Sequence, residues 1–323
     1  MQKSLAGFFF AALLAILGFH DTALAQQEPI KVKISRLSFP SLSTMMIDIV
    51  KARGIDKKHG IDLEGVTYSS ISGYYGALAN GEADMTASGP LVVQKMILEG
   101  VKLRIGLTWA RMNIMSVITG DPAIKTIADL KGKTIAADMG SAEFQTLAVY
   151  GRTQKLVFGT DISVVQAGPP LARSQLQAKR VDAAMLWEPT TTLALRDNPD
   201  YRVILAGDKA WAEIAKTVGW DLVLAMREDF LRSKPQAIPR LLSMFQEAQA
   251  WYKANLDEAD KILAESIKLP AGTFKDAVAS GRLAYDIRPA WDSEREAIWN
   301  MFKIAVDAGY LPKLPSEDVI YKP

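Results

Sequence analysis

The sequence predicts an α/β protein of two lobes, each a mainly parallel sheet flanked by helices. Three observations predict it. Short apolar runs alternate with segments of helical period, as in parallel sheets covered on both faces. The alternation restarts after a linker at Asp121-Pro122. Residues 26–323 number 298, more than one hydrophobic core of about 250–300 residues comfortably organises.

Strands are expected at 32–35, 61–68, 85–87, 103–107 and 115–119, with helices over 43–52, 74–80 and 90–98 between them. Ser43 is the expected cap of the first helix, Gly54 and Gly81 are stops, and Pro90 suits a first helical position. After the linker, strands are expected at 133–137, 163–166, 182–185 and 201–205, with helices over 143–155 and 171–178. The run 222–226 is a strand able to rejoin the first sheet. Helices then cover 239–253, 257–267 and 291–308, the last stopped by Gly309. The halves echo each other: Leu78 to Met85 and Leu176 to Ala183 both end a helix, turn through charged residues and enter a strand behind an Asp.

Residues 1–25 are laid out as a cleavable export signal. Lys3 precedes an apolar run from Leu5 to Phe19, and Ala23-Leu24-Ala25 is a small-x-small site before Gln26. That run is 15 residues, short of the roughly 20 a spanning helix needs. The chain has no Cys, so no lipid-bearing Cys follows the site and no disulfide forms. The expected product is soluble and lies outside the cytoplasmic membrane.

Composition excludes several functions. The net charge of +2 comes without a basic block, so no nucleic-acid partner is expected. Of two His residues, His20 leaves with the signal and only His59 remains. A zinc site with two His or Cys ligands is then excluded, and a Ser-His-Asp machine would rest on one His in a polar turn. GxSxG, GxxxxGK[ST], HExxH and GxGxxG are absent. The expectation is a binder and not an enzyme, with no catalytic residue, metal or cofactor.

Ligands of open α/β sheets sit at strand carboxyl ends and helix starts. The turn after the first strand offers Ser38 and Phe39. The turn after the second carries Ser69, Ser70 and Ser72 with Tyr74 and Tyr75, hydroxyls that can cap a helix, bind a ligand or do both. Ser88 and Gly89 follow the third strand, and Trp109 and Arg111 the fourth; the Arg can pair with a carboxylate or sulfonate. Gly140, Ser141 and Phe144 open the first helix of the second lobe, where free N–H groups favour an anion. Glu143 opposes an anion there if it faces the cleft. Trp187 and Glu188 end a further strand; Trp187 is either an apolar ligand wall or a plug between the lobes.

Four segments resemble periplasmic ABC-transporter substrate-binding proteins of the nitrate/sulfonate/taurine group, including the aliphatic-sulfonate and thiamine-precursor-like members. They are Ile49 to Glu64 with its His59-Gly60-Ile61-Asp62, Ala77 to Asp84, Ile127 to Ala136 with Leu130-Lys131-Gly132-Lys133, and Val181-Asp182-Ala183 followed by Trp187-Glu188-Pro189. Lys179 stands where many members carry Gly. The resemblance implies the type II two-lobed fold, with crossovers near 116–121 and 218–224. Residues 26–117 and 222–323 would form one lobe and 118–221 the other. It implies a monomer in the periplasm that captures a small molecule (a sulfonate, carboxylate or small heterocycle) and delivers it to an ABC permease in the inner membrane. Ligand contacts carried over by turn position fall on Ser38, Phe39, Ser69, Ser70, Ser88, Trp109, Gly140, Ser141, Phe144 and Trp187. A sensory protein docking on a receptor and an enzyme of pyrimidine-precursor synthesis are the alternatives.

Overall fold

A computed structural model describes residues 28–323; the expected export signal lies outside the described residues. In chain order the elements are β1 (Ile30–Leu37), α1 (Leu42–Ala52), α2 (Ile55–Lys58), β2 (Ile61–Tyr68), α3 (Ile71–Asn80), β3 (Met85–Ser88), α4 (Pro90–Leu98), β4 (Leu103–Arg111), β5 (Met115–Thr119), β6 (Thr134–Ala137), α5 (Ala142–Thr153) and β7 (Ser163–Gln166). There follow α6 (Pro169–Gln177), β8 (Ala183–Trp187), α7 (Thr190–Asp197), β9 (Arg202–Ala206), α8 (Gly207–Ala215), β10 (Trp220–Arg227), α9 (Glu228–Ser233), α10 (Ala237–Ala254), α11 (Leu256–Ser266), α12 (Thr273–Ala279) and α13 (Arg295–Asp307).

Two five-stranded sheets have the same plan, in the orders β2-β1-β3-β10-β4 and β7-β6-β8-β5-β9. Both are mixed. In the first, β1 pairs in parallel with β2 and β3, while β10 runs antiparallel between β3 and β4. In the second, β6 pairs in parallel with β7 and β8, while β5 runs antiparallel between β8 and β9. The odd strand in each sheet arrives from the other lobe, which is why it runs against its neighbours. The first crossover is a single 3₁₀ turn, Met112–Ile114, between β4 and β5. The second is the short link between α8 and β10.

This corrects the placement of residues 115–119, which pair wholly in the second sheet and not with the strands before them. Every residue of β5 is buried. A strand apolar on both faces reads the same in either sheet, so its partner is not written in its pattern.

Side-chain caps set the starts of α1, α3 and α5. Ser41, two residues before the expected Ser43, accepts from the Thr44 amide at 3.3 Å and starts α1. Ser70 starts α3 by accepting from the Gly73 amide at 3.2 Å, and Gly81 ends it in the left-handed conformation at φ 81°. Helices α10 to α13 form a C-terminal layer against the first lobe. Its packing centres on Trp109, fully buried, with Phe245 and Tyr285 edge-on at 4.8 and 5.8 Å.

That layer also braces the second lobe. Arg282 donates to Glu188 at 2.6 Å and to the Thr192 hydroxyl at 3.0 Å, and Arg196 donates to the Ala271 carbonyl at 3.2 Å. Glu188 is fully buried, and burial raises its pKa despite the Arg282 charge. Arg282→Ala leaves this carboxyl without its cation, with only the Thr192 amide donating to it at 3.3 Å. Because Arg282 is itself partly exposed, the expected loss is about 2–3 kcal/mol, below the ~3–5 typical of a wholly buried pair. Urea unfolding at neutral pH measures it, and an unchanged midpoint contradicts the brace.

Candidate functional site

The lobes meet around a narrow cavity of about 30 Å³, room for water-sized bodies only. The first lobe contributes Leu37, Ser41, Leu42, Ser43, Ile71, Tyr74, Tyr75 and Ala87 to its walls. The second contributes Glu143 and Trp187, the first crossover contributes Ile114, and Leu222 comes from the start of β10. Strand ends and helix starts thus converge from both sheets.

Gly89 lets them converge. A Cβ there would lie 2.6 Å from the Ala142 Cβ and 3.3 Å from the Asp221 carbonyl oxygen. Its φ of −71° suits any residue, so the reason for glycine is the close approach of the β3–α4 turn to α5.

Most hydroxyls in the walls are already engaged. The Tyr74 hydroxyl donates to the Ala87 carbonyl at 2.7 Å. Ser41 and Ser43 hydroxyls lie 3.1 Å apart, and Ser41 also donates to the Thr44 hydroxyl at 3.0 Å. Ser88 differs: it is fully buried beside the Tyr75 hydroxyl, yet its Oγ has no hydrogen bond of good geometry.

Two carboxyl groups dominate the electrostatics. Glu143, in the first turn of α5, and Asp221, the second residue of β10, are both buried. Neither Asp221 oxygen has a hydrogen-bond partner of good geometry. Burial pushes Glu143 up to about 7; its own amide and the Ser141 hydroxyl pull it down, and the Asp138 charge pushes it up. Asp221 is held well above the usual carboxylate range, first by burial and then by the adjacent Glu143. Among the described residues, none of the main groups acting on either carboxyl is a cation. Near neutral pH the pair keeps at least one proton.

Of the expected site residues, the structure brings Trp187 into the wall and Ser88, Gly140 and Ser141 to its edge. Ser141 caps α5 by accepting from the Phe144 amide at 3.1 Å, and a Cβ on Gly140 would lie 3.4 Å from Ile71. The others go elsewhere. Ser38, Ser69 and Ser70 are exposed and Phe39 half-buried, outside the wall. Phe144 packs edge-on against Phe158 at 5.7 Å. Trp109 is core and Glu188 belongs to the brace. Arg111 stacks 3.6 Å over Trp220 and pairs with Asp286 at 3.0 Å and Glu294 at 3.3 Å; its charge is matched within the protein.

Ser41 closes the turn of residues 36–41 in which a ligand was expected; Ser43 in the wall and Asp221 behind it were not among the expected site residues. Asp221 had a signal: it is the one charged residue in the apolar run Trp220 to Met226. The two Ser sit at the start of a helix that was expected to begin later.

The family described as NMT1/THI5 like matches residues 49–259, well over half of the chain, and the chain belongs to this family. A Brucella abortus binding protein is 22% identical over 276 residues, covering 85% of this chain and 82% of that protein. An Escherichia coli protein named for binding aliphatic sulfonates is 25% identical over 270 residues, covering 81% and 78%. Among solved structures, the E. coli periplasmic aliphatic sulphonate binding protein SsuA matches with a TM-score of 0.73 at 20% identity, covering 91% of this chain and 93% of that one. The Xanthomonas axonopodis alkanesulfonate-binding protein SsuA, bound to MOPS, matches with a TM-score of 0.75 at 18% identity, covering 91% and 99%. These matches show a periplasmic binding protein fold of two mixed sheets flanked by helices.

The carboxyl pair sets a pH dependence. The folded state holds protons that the unfolded chain releases at ordinary carboxylate values. The associated stability is therefore complete below about pH 4 and is lost as pH rises through the Glu143 value of about 7. The expected loss is on the order of 3 kcal/mol between about pH 5 and pH 8. Glu143→Gln should remove much of that slope, the remainder belonging to Asp221. Urea titrations across this range check it; a wild-type stability flat with pH is the contrary result.

Proposed function

We propose that this chain captures a small organic solute between its lobes and delivers it to an ABC-type permease in the inner membrane. It would do so as a periplasmic monomer, after loss of residues 1–25. The observation that carries this is a cavity walled by both lobes and by the first crossover at once. A body bound there touches every part that moves when the lobes part. Because the walls of this closed form leave only about 30 Å³, a solute with a carbon skeleton enters when the lobes open about the two crossovers, and the closed form then settles on it.

The position of His59 supports binding without chemistry. It does not line the cavity; at the end of α2 it pairs with Glu247 of α10 at 2.8 Å. Among the described residues no cluster of His, Asp or Glu suits a metal ion, and no helix is long and apolar enough to cross a membrane. The aliphatic sulfonates and MOPS named for the relatives place sulfonates among the solutes to be tried.

A thermal-shift screen of the mature chain with alkanesulfonates, taurine, aromatic carboxylates, pyrimidines and nitrate tests the proposal. A solute at about 100 times its Kd adds about 2.7 kcal/mol to the folded state and raises the Tm. Silence across the panel at millimolar concentrations defeats capture. For a solute that does bind, Trp187→Ala should weaken affinity about tenfold, near 1.4 kcal/mol, by removing one apolar wall. Unchanged affinity would make Trp187 a plug between the lobes.

A further inference from the structure

The carboxyl pair bears on which solute the cleft takes. An anion would ordinarily seek the start of α5, where backbone N–H groups converge. Here the protein's own groups occupy that position: Ser141 accepts from the Phe144 amide, and the Glu143 carboxyl is held by its own amide and the Ser141 hydroxyl. Behind it, the fully buried Asp221 lies within hydrogen-bond reach of the Glu143 carboxyl, and beyond that neighbour its two oxygens have no partner of good geometry. The groups acting on these carboxyls are each other, Asp138, and the hydroxyls of Ser141, Tyr74 and Tyr75; none is cationic. A sulfonate or carboxylate entering here meets the Asp138 charge and whatever charge the pair carries, and none of these groups is a counter-ion. A nitrogen-centred cation finds acceptors whose desolvation is already complete.

We infer that the cleft takes an organic cation, an amine or amidine whose N–H groups dock on Glu143 and Asp221 and whose apolar body lies against Trp187. This rests on the capture reading and narrows it. Binding shifts a proton: the cation displaces the one the pair holds, so affinity rises with pH through the Glu143 value of about 7.

The test uses the mature chain with benzamidine and phenethylamine as cations and butane-1-sulfonate and benzoate as anions. Melting temperatures and calorimetric titrations at about pH 6 and pH 8 are compared. The expected result is a Tm rise with at least one cation and with neither anion. Affinity should be several-fold higher at the upper pH, with proton release seen as a heat that depends on the buffer's ionisation enthalpy. Asp221→Asn should weaken cation binding about tenfold or more. Glu143→Gln repeats the test if that variant does not fold, as judged by circular dichroism. Binding of an anion in place of the cations overturns the ligand class and leaves capture standing. Cation binding unchanged in both folded variants also overturns it. If none of these four probes and none of the wider solute panel binds, capture fails as well.

Discussion

Where the start of α5 meets the start of β10, two carboxyl groups are shut away from water with no cation beside them. Burying one ionised carboxylate is costly, and burying two side by side is worse. The closed arrangement therefore depends on their protonation or on something positive between them. Each group comes from a different part of the machine. Glu143 stands on the second lobe's first helix, and Asp221 on the strand that carries the chain back into the first sheet. Any separation of the lobes changes the distance between them and lets water reach both.

The rest of the architecture brings that contact about. Identical strand orders in the two sheets put strand ends and helix starts of both lobes opposite each other. The strand that switches sheets is the odd, antiparallel member of each, and the first crossover reaches the cavity at Ile114 while β10 reaches it at Leu222, just after the second. Gly89 removes the side chain that would hold the β3–α4 turn away from Ala142. On the opposite side the C-terminal layer reaches over to Glu188 through Arg282. That buried carboxyl has its cation, which is the contrast that gives the unpaired pair its meaning. Arg111, the cation nearest in sequence to the first crossover, is taken by Asp286, Glu294 and the Trp220 ring.

Much of the fold was legible in the sequence, because periodicity and glycine or proline punctuation report local conformation directly. The strands, most helices and the repeat of the plan came from those signals, and the order of the family segments added the pairing of lobes. Strand partnership was less legible. The apolar run 115–119 suits the middle of either sheet, and only the tertiary fold assigns it to the second. Of the cleft, Trp187 was legible as a large ring at a strand end. Turn position alone misdirected the reading at Ser38, Ser69 and Ser70, since a hydroxyl beside a strand end can face solvent as easily as the cleft. It misdirected at Trp109 too, because β4 continues to Arg111 and carries that ring into the core beside Phe245.

The missed residue with most consequence, Asp221, shows how such sites can be found. An apolar strand buried on both faces has no use for a carboxylate; a fully buried Asp without a partner lowers stability in the ligand-free form. Its retention in Trp220 to Met226 implies a compensation outside the strand. Glu143 supplies it only while the two carboxyls share a proton, and the nearby hydroxyls are already engaged or poorly aligned. What remains is a proton, held in the closed and ligand-free state, or a donor brought by the solute. The two are alternatives at one place, so loading the cleft and titrating it are expressions of one equilibrium. A cleft built in this way gives up some intrinsic stability and gains selectivity, because it repels the anions that a bare helix start would attract.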